Sequence, residues 1–123
     1  MPKENLIQKK SLGFSLMIIE LYKKLTTEKE FVISKQLLRS GTSIGANIEE
    51  AIAGQSKSDF LHKMSIASKE ARETRYWLNI LDKSQIVKMD YEKYLDEIES
   101  MINILTKIVK TSSASIQNLK SKI

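Results

Sequence analysis

Cysteine is absent from this 123-residue chain, which excludes a disulfide framework, a thiolate zinc site and a cysteine nucleophile. Histidine occurs once, at His62, where a di-iron bundle needs two Glu-x-x-His elements and two further glutamates. Proline also occurs once, at Pro2, so no later position breaks a helix by that route. Only four glycines are present. Neither a glycine-rich phosphate loop, nor a serine elbow, nor a His-Glu-x-x-His pair is found. With 41% hydrophobic residues beside so little glycine and proline, the chain reads as folded rather than disordered. Its length suits one domain, 1–123, of a size that buries roughly two-thirds of its unfolded surface without a covalent or metal staple.

A long hydrophobic run is missing too. The lysines ahead of Leu12-Gly13-Phe14-Ser15-Leu16-Met17-Ile18-Ile19 imitate a signal peptide, but Glu20, Lys23 and Lys24 follow and no small-residue cleavage site appears. The longest apolar run is far short of the roughly 20 residues that span a bilayer. The expectation is a soluble cytoplasmic protein, and the missing cysteine suits a reducing compartment.

What the chain does have is helical periodicity. Residues plotted at about 100° each predict an all-α, antiparallel up-down-up-down four-helix bundle, with helices over approximately 5–25, 28–54, 58–83 and 90–121. Ile7, Phe14, Met17, Ile18, Leu21 and Leu25 form the first stripe; Ile33, Leu37, Ile44, Ile48 and Ile52 form the second. Phe60, Met64, Ala67, Ala71, Thr74, Leu78 and Leu81 keep unbroken 4-3 spacing along the third. The fourth runs through Tyr91, Leu95, Ile98, Ile102, Leu105, Val109, Ser112, Ile116, Leu119 and Ile123, so its periodicity carries helix across the serine-rich Thr111–Ser115. Thr27, Ser56 or Ser58, and Asp90 are the expected N-caps, and Gly54 the expected stop of the second helix. Gly41 and Gly45, where the second and third helices would face each other, predict a close helix approach or a bend.

The first helix carries a second row, Leu12, Leu16 and Ile19, nearly opposite its core stripe. A helix apolar on two faces is buried on both, so this row is the candidate oligomer interface. Candidate chemistry is thin by comparison. His62, in Asp59-Phe60-Leu61-His62, falls away from the apolar stripe and reads as a surface residue. Asn47, Glu50, Glu70 and Glu73 lie near Lys69, Arg72 and Arg75, which reads as a structural charge network rather than an acid–base pair. No catalytic residue, metal or cofactor is expected.

The net charge of +5 is uneven. Met1–Ser40 holds 8 basic and 4 acidic residues, Gly41–Ser84 holds 6 and 6, and Gln85–Ile123 holds 6 and 5. Lys9, Lys10, Lys23 and Lys24 bracket the first helix, while Lys107, Lys110, Lys120 and Lys122 follow the last acid, Glu99. These eight lysines are the candidate nucleic-acid-binding residues, contacting phosphate through charge and shape.

The segment Leu37–Ala51, LLRSGTSIGANIEEA, continues in Lys57-Ser58-Asp59-Phe60, Met64-Ser65-Ile66-Ala67, Lys69-Glu70-Ala71 and Glu73–Leu78. In these residues the chain resembles the bacterial four-helix-bundle proteins associated with intervening sequences of 23S ribosomal RNA genes. The resemblance spans about Phe14 to Leu105, with Ser43-Ile44-x-x-Asn47-Ile48-x-Glu50 its most specific part. That family is similar in turn to the accessory variability determinant proteins of diversity-generating retroelements. The resemblance implies a homopentameric barrel. It also implies RNA binding, with a reverse transcriptase as a possible protein partner. Arg39, Ser43, Asn47, Glu50, Lys69, Glu70 and Glu73 match the family pattern, which implies a structural role holding helices 2 and 3 together. Ala51 stands where many relatives carry glycine.

The sequence therefore predicts a non-enzymatic, homo-oligomeric nucleic-acid-binding accessory protein, RNA before DNA. The alternative is a protein–protein interaction module docking a partner on the bundle or ring. A third reading, small-molecule binding, requires a cavity beside Gly41 and Gly45.

Overall fold

The computed structural model of the protein describes residues 3–121. Four helices follow one another: α1 Lys3–Thr27, α2 Ile33–Ile52, α3 Lys57–Ser84 and α4 Glu92–Ser121. No strand occurs among the described residues. Each helix packs on its sequence neighbours and α1 closes on α4, leaving α1 diagonal to α3. Gln8 of α1 reaching Glu49 of α2, and Arg75 of α3 reaching Glu99 of α4, fix the antiparallel, up-and-down order.

The inward stripes supply the core. Ile7, Phe14, Ile18, Leu21 and Leu25 from α1 meet Leu37, Ile44 and Ile48 from α2 and Met64, Leu78 and Leu81 from α3, all with essentially no solvent exposure. Each such side chain contributes about 1.5–3 kcal/mol relative to its exposed state, which is why the apolar period governs the fold. On α4 the buried set differs from the single 4-3 row: Tyr94, Met101 and Ile108 join Ile98, Ile102 and Leu105, while Leu95 and Val109 are only half-buried. Ile52 and Leu119, expected on core stripes, are exposed because each lies at the end of its helix. Helix α4 does continue through the serines to Ser121.

The helix ends are set by local hydrogen bonds. Ser56 caps α3 by accepting from the Asp59 amide at 3.0 Å, and Asp90 accepts from Glu92 N at 3.0 Å at the start of α4. Thr27 does not cap α2. It is the last residue of α1, and α2 starts at Ile33 rather than Glu28. The buried Glu30 carboxylate takes the capping role instead, accepting from the amides of Val32, Ile33 and Ser34 at 3.1, 3.0 and 2.6 Å. A carboxylate suits the free amides and partial positive charge of a helix N-terminus. At the end of α3, Gln85 adopts a left-handed backbone (φ 49°). Its side chain donates to Asp82 O and accepts from Met89 N, hydrogen bonds that offset the strain.

Gly41 and Gly45 face α1, not α3. A Cβ on Gly41 would lie 3.0 Å from two carbons of Ile18, and one on Gly45 would meet Ser11 at 3.4 Å. The space beside Gly41 is thus filled by a buried isoleucine, which removes the small-molecule reading. The α2–α3 seam carries a different feature: the buried hydroxyls of Ser40 and Thr74 lie 2.9 Å apart.

Candidate nucleic-acid interface

The candidate lysines do not form one patch. Lys23 and Lys24 stand exposed in the last turns of α1, where the helix's partial negative charge favours cations. Lys88, on the connection between α3 and α4, joins them around a cleft of about 370 Å³ completed by Thr27, Glu28, Val87 and Met89. The lining thus holds three lysines and one acidic residue, Glu28, beside the buried Val87. Thr27 Oγ1 is not free to donate to a ligand, since it donates to Lys23 O at 2.8 Å. Lys88 was not among the sequence candidates; it lies more than sixty positions from Lys24, and only the folded connection brings the two together.

Lys107, Lys110 and Lys120 are exposed along the second half of α4, towards the opposite end of the bundle. Lys122 lies outside the described residues. Lys9 is exposed. Lys10 is committed elsewhere: its ammonium sits 2.6 Å from Glu97 across the α1–α4 contact, and both side chains are largely shielded from water. By contrast Lys23, Lys24, Lys107 and Lys110 make no ion pair among the described residues.

Leu12, Leu16 and Ile19 are 65%, 57% and 37% exposed in the single chain, so the described residues leave the second row of α1 open at Leu12 and Leu16 and only partly covered at Ile19. Lys9 and Lys23 continue that row at either end with the same 3-4 spacing.

The residues matching the family pattern gather on and around α2 and α3. Arg39 pairs with Glu73 and lies 3.4 Å from Glu70, bridging the two helices. Glu73 also accepts the Trp77 indole N–H at 3.0 Å, and the Tyr76 ring stands edge-on to Trp77 with centroids 5.2 Å apart. Glu50 pairs with Lys63 of α3 at 2.9 Å. Ser43 and Asn47 turn inward on their own helix, donating to Arg39 O and Ser43 O. Lys69 is exposed and takes no part in the seam. Arg75 joins Glu99 at 3.0 Å and Arg72 donates to Thr106 at 3.2 Å, so both link α3 to α4.

His62 is exposed, and no group of three or more His, Asp or Glu side chains among the described residues is placed to hold a metal ion. Among the same residues no helix is long and apolar enough to cross a membrane. Burial pushes the Tyr91 phenol upward, the Asp82 and Glu30 carboxylates add to the shift, and the hydroxyl donates to Val87 O at 2.7 Å.

Comparison with known proteins agrees with this architecture. A crystal structure from Bacteroides thetaiotaomicron VPI-5482, described as a protein of unknown function from the S23 ribosomal protein family, is 48% identical with a TM-score of 0.84. The match covers 89% of this chain and 99% of that one. Among curated proteins none matches. The family model described as 23S rRNA-intervening sequence protein matches residues 3–107, and the chain belongs to that family.

Proposed function

We propose that the protein is a non-enzymatic, oligomeric nucleic-acid-binding accessory protein that holds phosphate, RNA before DNA, through basic helix surfaces. The observation that carries this reading is the cleft lined by Lys23, Lys24 and Lys88 with a single acidic residue, Glu28. Phosphate contacts of this kind are sequence-independent and demand only charge and reach. Self-association through Leu12, Leu16 and Ile19 would multiply the +5 charge of each protomer, and a homopentamer is the assembly that the family resemblance implies.

The exposed Leu12/Leu16/Ile19 row also supports a second reading, in which a different protein docks on α1. Purification with and without nuclease, followed by sequencing of bound nucleic acid, separates the two. A defined RNA population lost on nuclease treatment supports nucleic-acid binding. A stoichiometric protein partner retained after nuclease, with no nucleic acid, overturns it. In the same preparations Leu16→Glu should lower the light-scattering mass while leaving the helical circular dichroism intact. An unchanged mass would remove the α1 row as the self-association surface.

A further inference from the structure

We infer that the outward ridge of α3 is a binding track for single-stranded nucleic acid, with Tyr76 as the base-stacking platform and Lys69, Arg72 and Lys83 as its phosphate contacts. The inference rests on the nucleic-acid-binding reading above and adds residues that reading does not use. Lys69, Arg72, Tyr76, Asn79 and Lys83 recur at 3-4-3-4 spacing, which places them on one helix face, and all five are exposed. The buried residues of α3, from Met64 through Ala67, Ala71, Thr74 and Leu78 to Leu81, occupy the opposite face. From Lys69 to Lys83 the ridge runs about 21 Å, at 1.5 Å per residue.

The ridge holds no acid. Of the nearest carboxylates on α3, Glu70 and Glu73 are turned to Arg39 across the α2 seam, and Asp82 is half-buried. Lys69 and Lys83 make no ion pair among the described residues. Arg72 anchors one amino group on Thr106, which leaves its remaining N–H groups for a ligand.

Tyr76 is 58% exposed yet held in place. It packs edge-to-face on Trp77, Trp77 is fixed by Glu73, and Glu73 is fixed by Arg39. An aromatic ring that is open to solvent but anchored from behind loses little freedom when a base stacks on it. Flanking cations with an interposed aromatic are the combination that single-strand tracks use, whereas a duplex hides its base faces. The position in the bundle also fits. Helix α3 is diagonal to α1, so assembly through Leu12, Leu16 and Ile19 leaves the ridge on the far side of each protomer.

The test is fluorescence anisotropy with a short labelled oligouridylate, a single strand of mixed sequence and its duplex, using nucleic-acid-free protein. Tyr76→Ala should weaken single-strand binding about tenfold and duplex binding little, while Tyr76→Phe retains it, because stacking needs the ring and not the hydroxyl. Lys69→Glu with Lys83→Glu should weaken every strand. Binding should also quench the fluorescence of Trp77, the sole tryptophan. Single-strand binding by the wild-type protein that Tyr76→Ala leaves unchanged, or that Tyr76→Phe loses as fully as Tyr76→Ala, overturns the ridge and leaves the broader reading standing. Absence of binding to any strand at low salt overturns both.

Discussion

The Lys10 ammonium and the Glu97 carboxylate lie 2.6 Å apart, joining α1 to α4 where those two helices meet. A lysine that looks in the sequence like half of a basic pair is therefore neutralised within the protomer, while its neighbour Lys9 faces solvent. The pair separates structural from available charge along α1, and the difference is measurable. Lys10→Ala should cost up to ~1 kcal/mol in urea unfolding and leave the salt dependence of RNA binding unaltered. Lys24→Ala should leave stability alone and reduce the log–log salt slope by about one. Equal reductions in slope for the two variants would mean that Lys10 leaves Glu97 to bind phosphate.

The two glycines of α2 should respond in opposite directions to the same substitution. Gly45→Ala meets only ordinary contacts with Ser11 and Ser15, so the helix-propensity gain of about 0.8–1 kcal/mol should show as added stability. Gly41→Ala places its methyl 3.0 Å from two carbons of Ile18, a fully buried, β-branched side chain that would have to shift within the core. Overpacking of that kind costs about 1–3 kcal/mol, which exceeds the propensity gain. Chemical denaturation of both variants checks this, and stabilisation by Gly41→Ala would show that the α1–α2 approach is looser than described.

Alkaline pH should destabilise the bundle through Tyr91. Its phenol has a folded pKa above the ordinary value of 10.0, so above that value the folded state binds more protons than the unfolded one. Stability is then full below about pH 10 and falls as pH rises further, because unfolding releases the proton. Urea midpoints measured on either side of pH 10 should decline more steeply for the wild-type protein than for Tyr91→Phe, whatever the lysines contribute to both. Parallel declines would place Tyr91 in contact with solvent.

Much of the fold was legible because apolar periodicity is a local property of the sequence. The stripes from Ile7 to Leu25 and from Met64 to Leu81 were readable, and so were the caps Ser56 and Asp90, which act within three residues. Glu30 is a local exception: its carboxylate reaches the amides of Val32, Ile33 and Ser34, two to four residues on, but glutamate is not one of the residue types that mark an N-cap. The other misreadings share a tertiary cause. Tyr94, Met101 and Ile108 are buried because α4 packs on two neighbours, so its buried face is wider than one 4-3 row. The glycines were assigned to the wrong partner helix since spacing shows that a helix face is small, not what approaches it. For the candidate interface, sequence found the exposed lysines and the α1 row but could not find Lys88 beside Lys24. The ridge from Lys69 to Lys83 is present in the sequence as a 3-4 pattern, hidden by reading Lys69 and Arg72 as partners of Glu70 and Glu73, which pair with Arg39 of α2.

Equilibrium binding of nuclease-treated, nucleic-acid-free protein to single-stranded RNA across a salt series tests nucleic-acid recognition most directly. Phosphate binding through exposed lysines predicts a linear fall of log affinity with log salt, with a slope of about 0.7 per phosphate neutralised on a single strand. That slope should shrink with Lys23→Glu and Lys24→Glu and stay unaltered with Lys10→Ala. No binding at the lowest salt, or an affinity indifferent to salt, would contradict it.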